Sequence, residues 1–229
     1  MKAKLEAVLL DMDGVVINSA KVADGLLVAT ASSHGVCLSP RELELLAGAN
    51  GIQFWSYVKE AYGLPDRVET YRDSYDASAE VAAYGPDLIA GGLAELLRDL
   101  TAAGIKTGLV TSATTWRVQH VLDLVDAEFG VVVSGDDVAD PKPAPTPYLL
   151  AAETLGVHPS GCLAVEDSAR GVQSARTAGM VVLAYREFAG PTQVAADAHD
   201  TLERFAGQSA ESLRSLYASL VGSPAPGGS

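Results

Sequence analysis

The sequence is poor in cysteine, in positive charge and in uninterrupted apolar stretches, and each shortage excludes a class of protein. Its two cysteines, Cys37 and Cys162, stand far apart and outside any CxxC pair. That argues against a disulfide framework and against a thiolate zinc site. It also fits a reducing compartment, so the cytoplasm is the expected location. Lys and Arg number 16 against 29 Asp and Glu, a formal net charge of -13. Such a balance disfavours nucleic acid and anionic membranes as partners, because both need clustered cations. A small anionic substrate stays open, since a bound cation can reverse the local field. No run of about 18 uncharged apolar residues occurs, so no spanning helix is expected. The first residues, Met1-Lys2-Ala3-Lys4-Leu5-Glu6, lead into a short apolar strand without an apolar region of signal-peptide length. The histidines His34, His120, His158 and His199 lack ligand spacing and read as surface or packing residues.

What is present is an ordinary globular composition: 229 residues, 48% hydrophobic and 20% charged, enough to bury a real core. Val8-Leu9-Leu10 is too short for a helix and ends at an aspartate, which predicts a buried parallel strand. Similar apolar runs recur at 105–110, 130–133, 162–165 and 180–184. Helical patterns lie between them, at 115–125, at 145–155 (Tyr148, Ala151, Ala152 and Leu155 on one face) and at 169–178 before Gly179. This alternation predicts βαβ units and an α/β core on a parallel sheet. A long helical stretch interrupts it after the first strand. There Val22, Leu26 and Ala29 are expected to share a face of a helix ended by Gly35. Ser39-Pro40-Arg41-Glu42 is a capping box that opens a second helix, ended by Gly48. Further helices are expected at 52–62 and 65–81. The expected organisation is a core of 1–17 and 86–221, a small all-helical domain over 18–85, and a disordered tail at 222–229.

Four strand ends carry chemistry-bearing residues. Asp11-Met12-Asp13-Gly14-Val15 closes the first strand, where open α/β sheets bind ligands. Two carboxylates two residues apart can divide the work of attack and proton transfer, and Gly14 permits the sharp exit. Thr111-Ser112 closes the next run and could hold an anion at a helix start. Lys142 stands before Pro143-Ala144-Pro145, which would fix its loop. Glu166-Asp167-Ser168 closes a fourth run, with acids that suit a hard cation such as magnesium. Each has an ordinary alternative: an Asp-rich turn, a helix N-cap, a solvated lysine, a capping aspartate. Together they supply what phosphoryl transfer needs, a nucleophile, an acid/base, an anion clamp, a fixed cation and a metal cage.

With these motifs in order, the chain resembles the haloacid dehalogenase superfamily, in its phosphatase branch with a helical cap. Asp11-Met12-Asp13-Gly14-Val15, Thr111, Lys142-Pro143-Ala144-Pro145 and Glu166-Asp167-Ser168-Ala169-Arg170-Gly171 match the four family motifs. The resemblance implies a Rossmann-like core with a cap, Mg2+ as cofactor and a small phosphorylated metabolite, such as a sugar or polyol phosphate, as substrate. It implies Asp11 as nucleophile, Asp13 as acid and base, and Thr111 and Lys142 as phosphoryl-holding groups. Ser112, Gly14 and Asn50 would contact substrate. Asp11, Asp13 (through its carbonyl), Asp167 and Glu166 would hold the metal, Glu166 either directly or through water. Among cap residues Asn50, Gln53, Trp55 and Tyr57 are expected near the substrate, with packing as the alternative for Trp55. A monomer or weak dimer is expected.

Asp13 argues against dehalogenation, because dehalogenase members lack that second aspartate. The alternative is a sugar phosphomutase of the β-phosphoglucomutase kind. That branch carries a histidine where this chain has Ala23, and a cap arginine after the glycine matching Gly48, where this chain has Ala49-Asn50-Gly51. A phosphorylation-sensing receiver domain would be about half this length and would lack Asp13.

Overall fold

The computed structural model describes residues 4–46, 51–188 and 197–221. Two units emerge from the packing: Ser19–Tyr84, and the rest of the described chain. The larger unit is built on six parallel strands: β1 (Ala7–Leu10), β2 (Lys106–Val110), β3 (Val131–Val133), β4 (Cys162–Glu166), β5 (Val181–Tyr185) and β6 (Asp200–Leu202). Their spatial order is β3-β2-β1-β4-β5-β6. The first strand is therefore central, and the chain builds outward from it on one side before crossing to the other. Ligands gather at such a switch point, beyond the carboxyl ends of the strands.

β1 and β4 are buried along their whole length, as a strand covered on both faces requires. Leu10 is level with Leu109 of β2 and Val165 of β4, so the residues that follow these strands emerge side by side. Five helices serve this unit: α6 (Leu93–Ala102), α7 (Thr115–Leu122), α8 (Thr146–Leu155), α9 (Ala169–Thr177) and α10 (Ala210–Leu220). Tyr148, Ala151, Ala152 and Leu155 of α8 pack with Leu9, Val110, Ala164 and Val172 in one apolar cluster. Among the described residues no helix is long and apolar enough to cross a membrane.

The smaller unit is all helical: α1 (Ala20–Ser33), α2 (Pro40–Leu46), α3 (Gly51–Tyr62), α4 (Val68–Asp73) and α5 (Ala77–Ala82). The capping box at α2 is formed, with Ser39 N donating to Glu42 at 2.8 Å and Glu42 N to Ser39 Oγ at 3.4 Å. Its apolar centre is Leu27, Ala31, Val36, Phe54, Trp55, Val58 and Tyr71.

The structure differs from the sequence expectation in several places. In α1 the buried residues are Leu27 and Ala31, and Ala29 is exposed, because a helix carrying alanine on several sides has no sharp apolar stripe. The helix expected over 65–81 is two short ones, since Asp76 caps a new start with bonds to Ser78 N and Ala79 N, both at 3.0 Å. The helix from Thr115 stops at Leu122. β6, α6 and α10 were not among the expected elements. Gly48, Ala49 and Asn50, and the tail 222–229, lie outside the described residues.

Candidate functional site

The site begins with the exit from β1. Asp11 N donates to Val165 O at 3.0 Å, which prolongs the β1–β4 ladder by one residue and fixes the Asp11 side chain beside the end of β4. The chain then turns back on itself. Val16 N and Ile17 N both donate to Met12 O, and Gly14 N donates to Ile17 O. Gly14 sits at a φ of +78°, and a β-carbon there would fall 1.9 Å from Asp167 Oδ2. Glycine is required at this position twice over, by backbone and by neighbour.

Lys142 reaches the same point from the β3–α8 connection. Its ammonium donates to Asp11 Oδ1 at 2.6 Å, to Glu166 Oε1 at 2.6 Å and to Val110 O at 2.8 Å. All three of its protons are used, and its residue is only 4% exposed. The main chain here is held as well: Arg170 donates its guanidinium to Lys142 O, and Ala144 N donates to Pro141 O. Glu166, the last residue of β4, is fully buried. Its Oε1 accepts from both Lys142 and Tyr148 at 2.6 Å, and Ser168 Oγ donates to Oε2 at 3.3 Å. Gly171 presses on it from α9, where a β-carbon would lie 1.9 Å from Oε2.

Oxygens of Asp11, Glu166 and Asp167 lie within 4.8 Å of one another. Among the described residues one lysine faces these three acids, and the imbalance appears in the protonation of Asp11 and Asp167. Burial pushes the Asp11 carboxyl well above its usual range; Lys142 opposes this, and Glu166 and Asp167 add to it. Asp167 is pushed up to about 7 by burial and then by Glu166 and Asp13. Burial works against the Lys142 charge, yet attraction to Asp11 and Glu166 prevails and holds the ammonium above the usual lysine range. A buried, oxygen-only donor set with more acid than base fits a hard divalent cation such as magnesium.

Of the remaining residues expected at the site, Thr111 and Ser112 follow β2, Asp13 follows β1, and Trp55 and Tyr57 belong to the helical unit. Thr111, buried after β2, donates its N–H to Val133 O at 2.9 Å, and its Oγ1 accepts from Ala113 N at 3.0 Å. Ser112 follows and is exposed. The loop is pinned from β3, where Gly135 N donates to Ala113 O at 2.7 Å and Asp136 accepts from Thr115 N at 2.7 Å. The Asp13 side chain is not in the acidic trio. It accepts from Arg117 at 2.9 Å and keeps partial contact with solvent. Asn50 lies outside the described residues. Trp55 is fully buried and stacks on Tyr71, with centroids 5.3 Å apart, so it packs and is not presented to a ligand. The Tyr57 hydroxyl donates to Glu42 at 3.2 Å within the helical unit.

Sequence reasoning gave no role to Arg117, to Arg170 within the fourth motif, or to the Tyr148 hydroxyl. Nothing in the sequence sets Arg117 apart on its helix, and Tyr148 reads as one more member of the apolar face of α8. A signal was available for the tyrosine: on a fully buried face its hydroxyl needs a partner.

The haloacid dehalogenase-like hydrolase family model matches residues 5–179. The chain belongs to that family. It is 31% identical over 198 residues to protein CbbY of Rhodobacter capsulatus, covering 81% of this chain and 87% of that one. A phosphoglycolate phosphatase of Escherichia coli is 39% identical over 117 residues, covering 50% of this chain and 46% of the relative. Among solved structures, a β-phosphoglucomutase from Clostridium difficile superimposes with a TM-score of 0.67 at 21% identity, covering 95% of this chain and 99% of the other, a likeness of fold. The six-stranded unit is thus the Rossmann-like core of a haloacid dehalogenase-like hydrolase.

Proposed function

We propose that this hydrolase removes phosphate from a small phosphorylated metabolite, a sugar or polyol phosphate by class, through a phosphoaspartate on Asp11. The observation that carries the reading is the buried contact of Lys142 with both Asp11 and Glu166 where β1, β2 and β4 end. Similarity to a phosphoglycolate phosphatase over half the chain supports the reaction class.

Asp11 attacks phosphorus, and the bond to the leaving oxygen breaks as the acyl phosphate forms. Asp13 gives that oxygen its proton and then takes one from the water that attacks the phosphoaspartate. Inorganic phosphate leaves and Asp11 is regenerated. Thr111 Oγ1 and Ser112 N–H hold the phosphoryl oxygens, and Lys142 keeps Asp11 aimed while offsetting their charge. Arg117 holds the Asp13 carboxyl at the edge of the site until substrate arrives. Magnesium, held by Asp11, Asp167 and the Asp13 carbonyl, with Glu166 directly or through water, would neutralise charge on the transferring group.

The test is a panel of phosphorylated metabolites assayed for phosphate release, with and without chelation. Turnover in water enriched with heavy oxygen should put label into the phosphate. Ala23 stands where the mutase branch carries a histidine, which favours this reading over a phosphomutase. With β-glucose 1-phosphate and a bisphosphate primer, free phosphate should appear and glucose 6-phosphate should not accumulate. Isomerised sugar forming faster than phosphate would replace the hydrolase with a mutase.

A further inference from the structure

Tyr148 has no part in the reaction written above, yet its hydroxyl reaches the most densely charged point of the core. It sits in the first turn of α8 and is fully buried. Packing alone would be served equally well by phenylalanine. Instead the hydroxyl donates to Glu166 Oε1 at 2.6 Å, the same oxygen that accepts from Lys142 at 2.6 Å. The aromatic ring lies 5.0 Å from the lysine nitrogen. A carboxylate oxygen has two good acceptor directions, and these two donors take both. On the other oxygen the Ser168 contact is long, at 3.3 Å. Without the phenol, the lysine would be the single short contact on Glu166, and the carboxyl group could rotate about its last bond. The ammonium would follow that rotation, because its two carboxylate contacts share one set of protons.

We infer that Tyr148 is a positioning residue, whose hydroxyl locks the rotation of the Glu166 carboxyl group and thereby keeps the Lys142 ammonium on Asp11. Its kinetic consequence rests on the phosphohydrolase reading, whereas its geometry does not.

Tyr148→Phe retains the ring beneath the lysine and removes only the hydroxyl. With the substrate found by the metabolite panel, kcat should fall about tenfold while KM changes by less than about twofold, the size of one lost hydrogen bond to a charged group. In a Glu166→Gln background the same change should cost less than about twofold more, because the tyrosine acts through that carboxylate. A folded Tyr148→Phe enzyme with wild-type kcat overturns the inference, and so does an undiminished effect in the Glu166→Gln background. A second measurement needs no metal, substrate or variant. In metal-free wild-type protein the Tyr148 hydroxyl proton should give a slowly exchanging proton resonance with a cross-peak to the Lys142 ammonium. A hydroxyl exchanging at the rate of solvent overturns the inference even if Tyr148→Phe fails to fold. If the wild type hydrolyses no phosphomonoester and that resonance is present, the placement of Tyr148 is upheld and the functional reading falls.

Discussion

The two units of this protein bury charge to different ends. In the helical unit, buried Glu80 accepts from the hydroxyls of Tyr75, at 2.8 Å, and Tyr84, so its carboxyl group is absorbed by the surrounding fold. The apolar centre of that unit is aromatic, with Trp55 stacked on Tyr71 and Phe54 edge-on to Trp55. In the sheet unit, Asp11, Glu166 and Asp167 crowd together and one lysine answers them. That arrangement is poor for stability, since like charges and desolvation both oppose it. The difference teaches where to look for chemistry: in buried charge that its own fold leaves under-compensated.

Substitutions can break this contrast, beginning with Asp11, the proposed nucleophile. Asp11→Asn removes the proposed attacking oxygen at nearly constant volume and relieves the crowding. Activity should fall by about four powers of ten or more, measured as released phosphate, with the circular dichroism spectrum unchanged. Lys142→Ala should cost about two to four powers of ten in kcat. It should also lower stability by about 3 to 5 kcal/mol, because Asp11 and Glu166 lose their buried counter-charge. Urea titration reads the second effect separately from the first.

Trp55→Ala tests the other side of the comparison. A fully buried tryptophan should cost about 3 to 5 kcal/mol of packing in the helical unit, seen as a lower melting temperature. At a temperature where the variant stays folded, kcat toward a minimal substrate such as acetyl phosphate should stay within about threefold of wild type. A larger loss would show that the two units are not separable in this way.

The smallest expected effect concerns pH. Asp167 has a folded pKa of about 7, raised above its unfolded value near about 3.9. The folded state therefore holds the proton more tightly. Asp167 favours folding most at low pH, and that contribution is lost as the pH rises from about 4 through 7. A magnesium ion bound at these acids would stabilise the ionised carboxylates, so its stabilising effect should be larger at pH 8 than at pH 5. Differential scanning fluorimetry with and without the ion should show the gap as a few degrees, and an equal shift at both values would contradict it.

Much of the candidate site was legible because strand-end motifs are local signals. Asp11, Thr111, Lys142 and Glu166 each follow an apolar run or a stiff turn that can be read without knowing the fold. β6 was not legible: Asp200 and Thr201 are exposed, only Leu202 is buried, and three residues carry no period. α6 was legible in principle, since its buried Leu93, Leu96, Leu97 and Leu100 have helical spacing. Arg117 meets Asp13 across 104 residues of sequence, and no spacing rule reaches that far. Trp55 could be read either as core or as ligand contact until its neighbours were known. Asn50 lies outside the described residues, so its expected contact with substrate stands where the sequence left it.

The central place of β1 has a consequence for how the protein is made. β1 leaves the ribosome before both of its partners, since β2 and β4 begin only at Lys106 and Cys162. At about 5 to 20 residues per second, the wait for β4 is on the order of 10 to 30 s. The helical unit, encoded in between, has its own apolar centre and can fold during that interval. Until β4 arrives, the apolar strand before Asp11 has no second neighbour, and the acidic cluster does not exist. The nascent chain is thus spared the repulsion among its acids until the sheet that must withstand it is complete. The exposed β1 is the segment a chaperone would be expected to hold meanwhile.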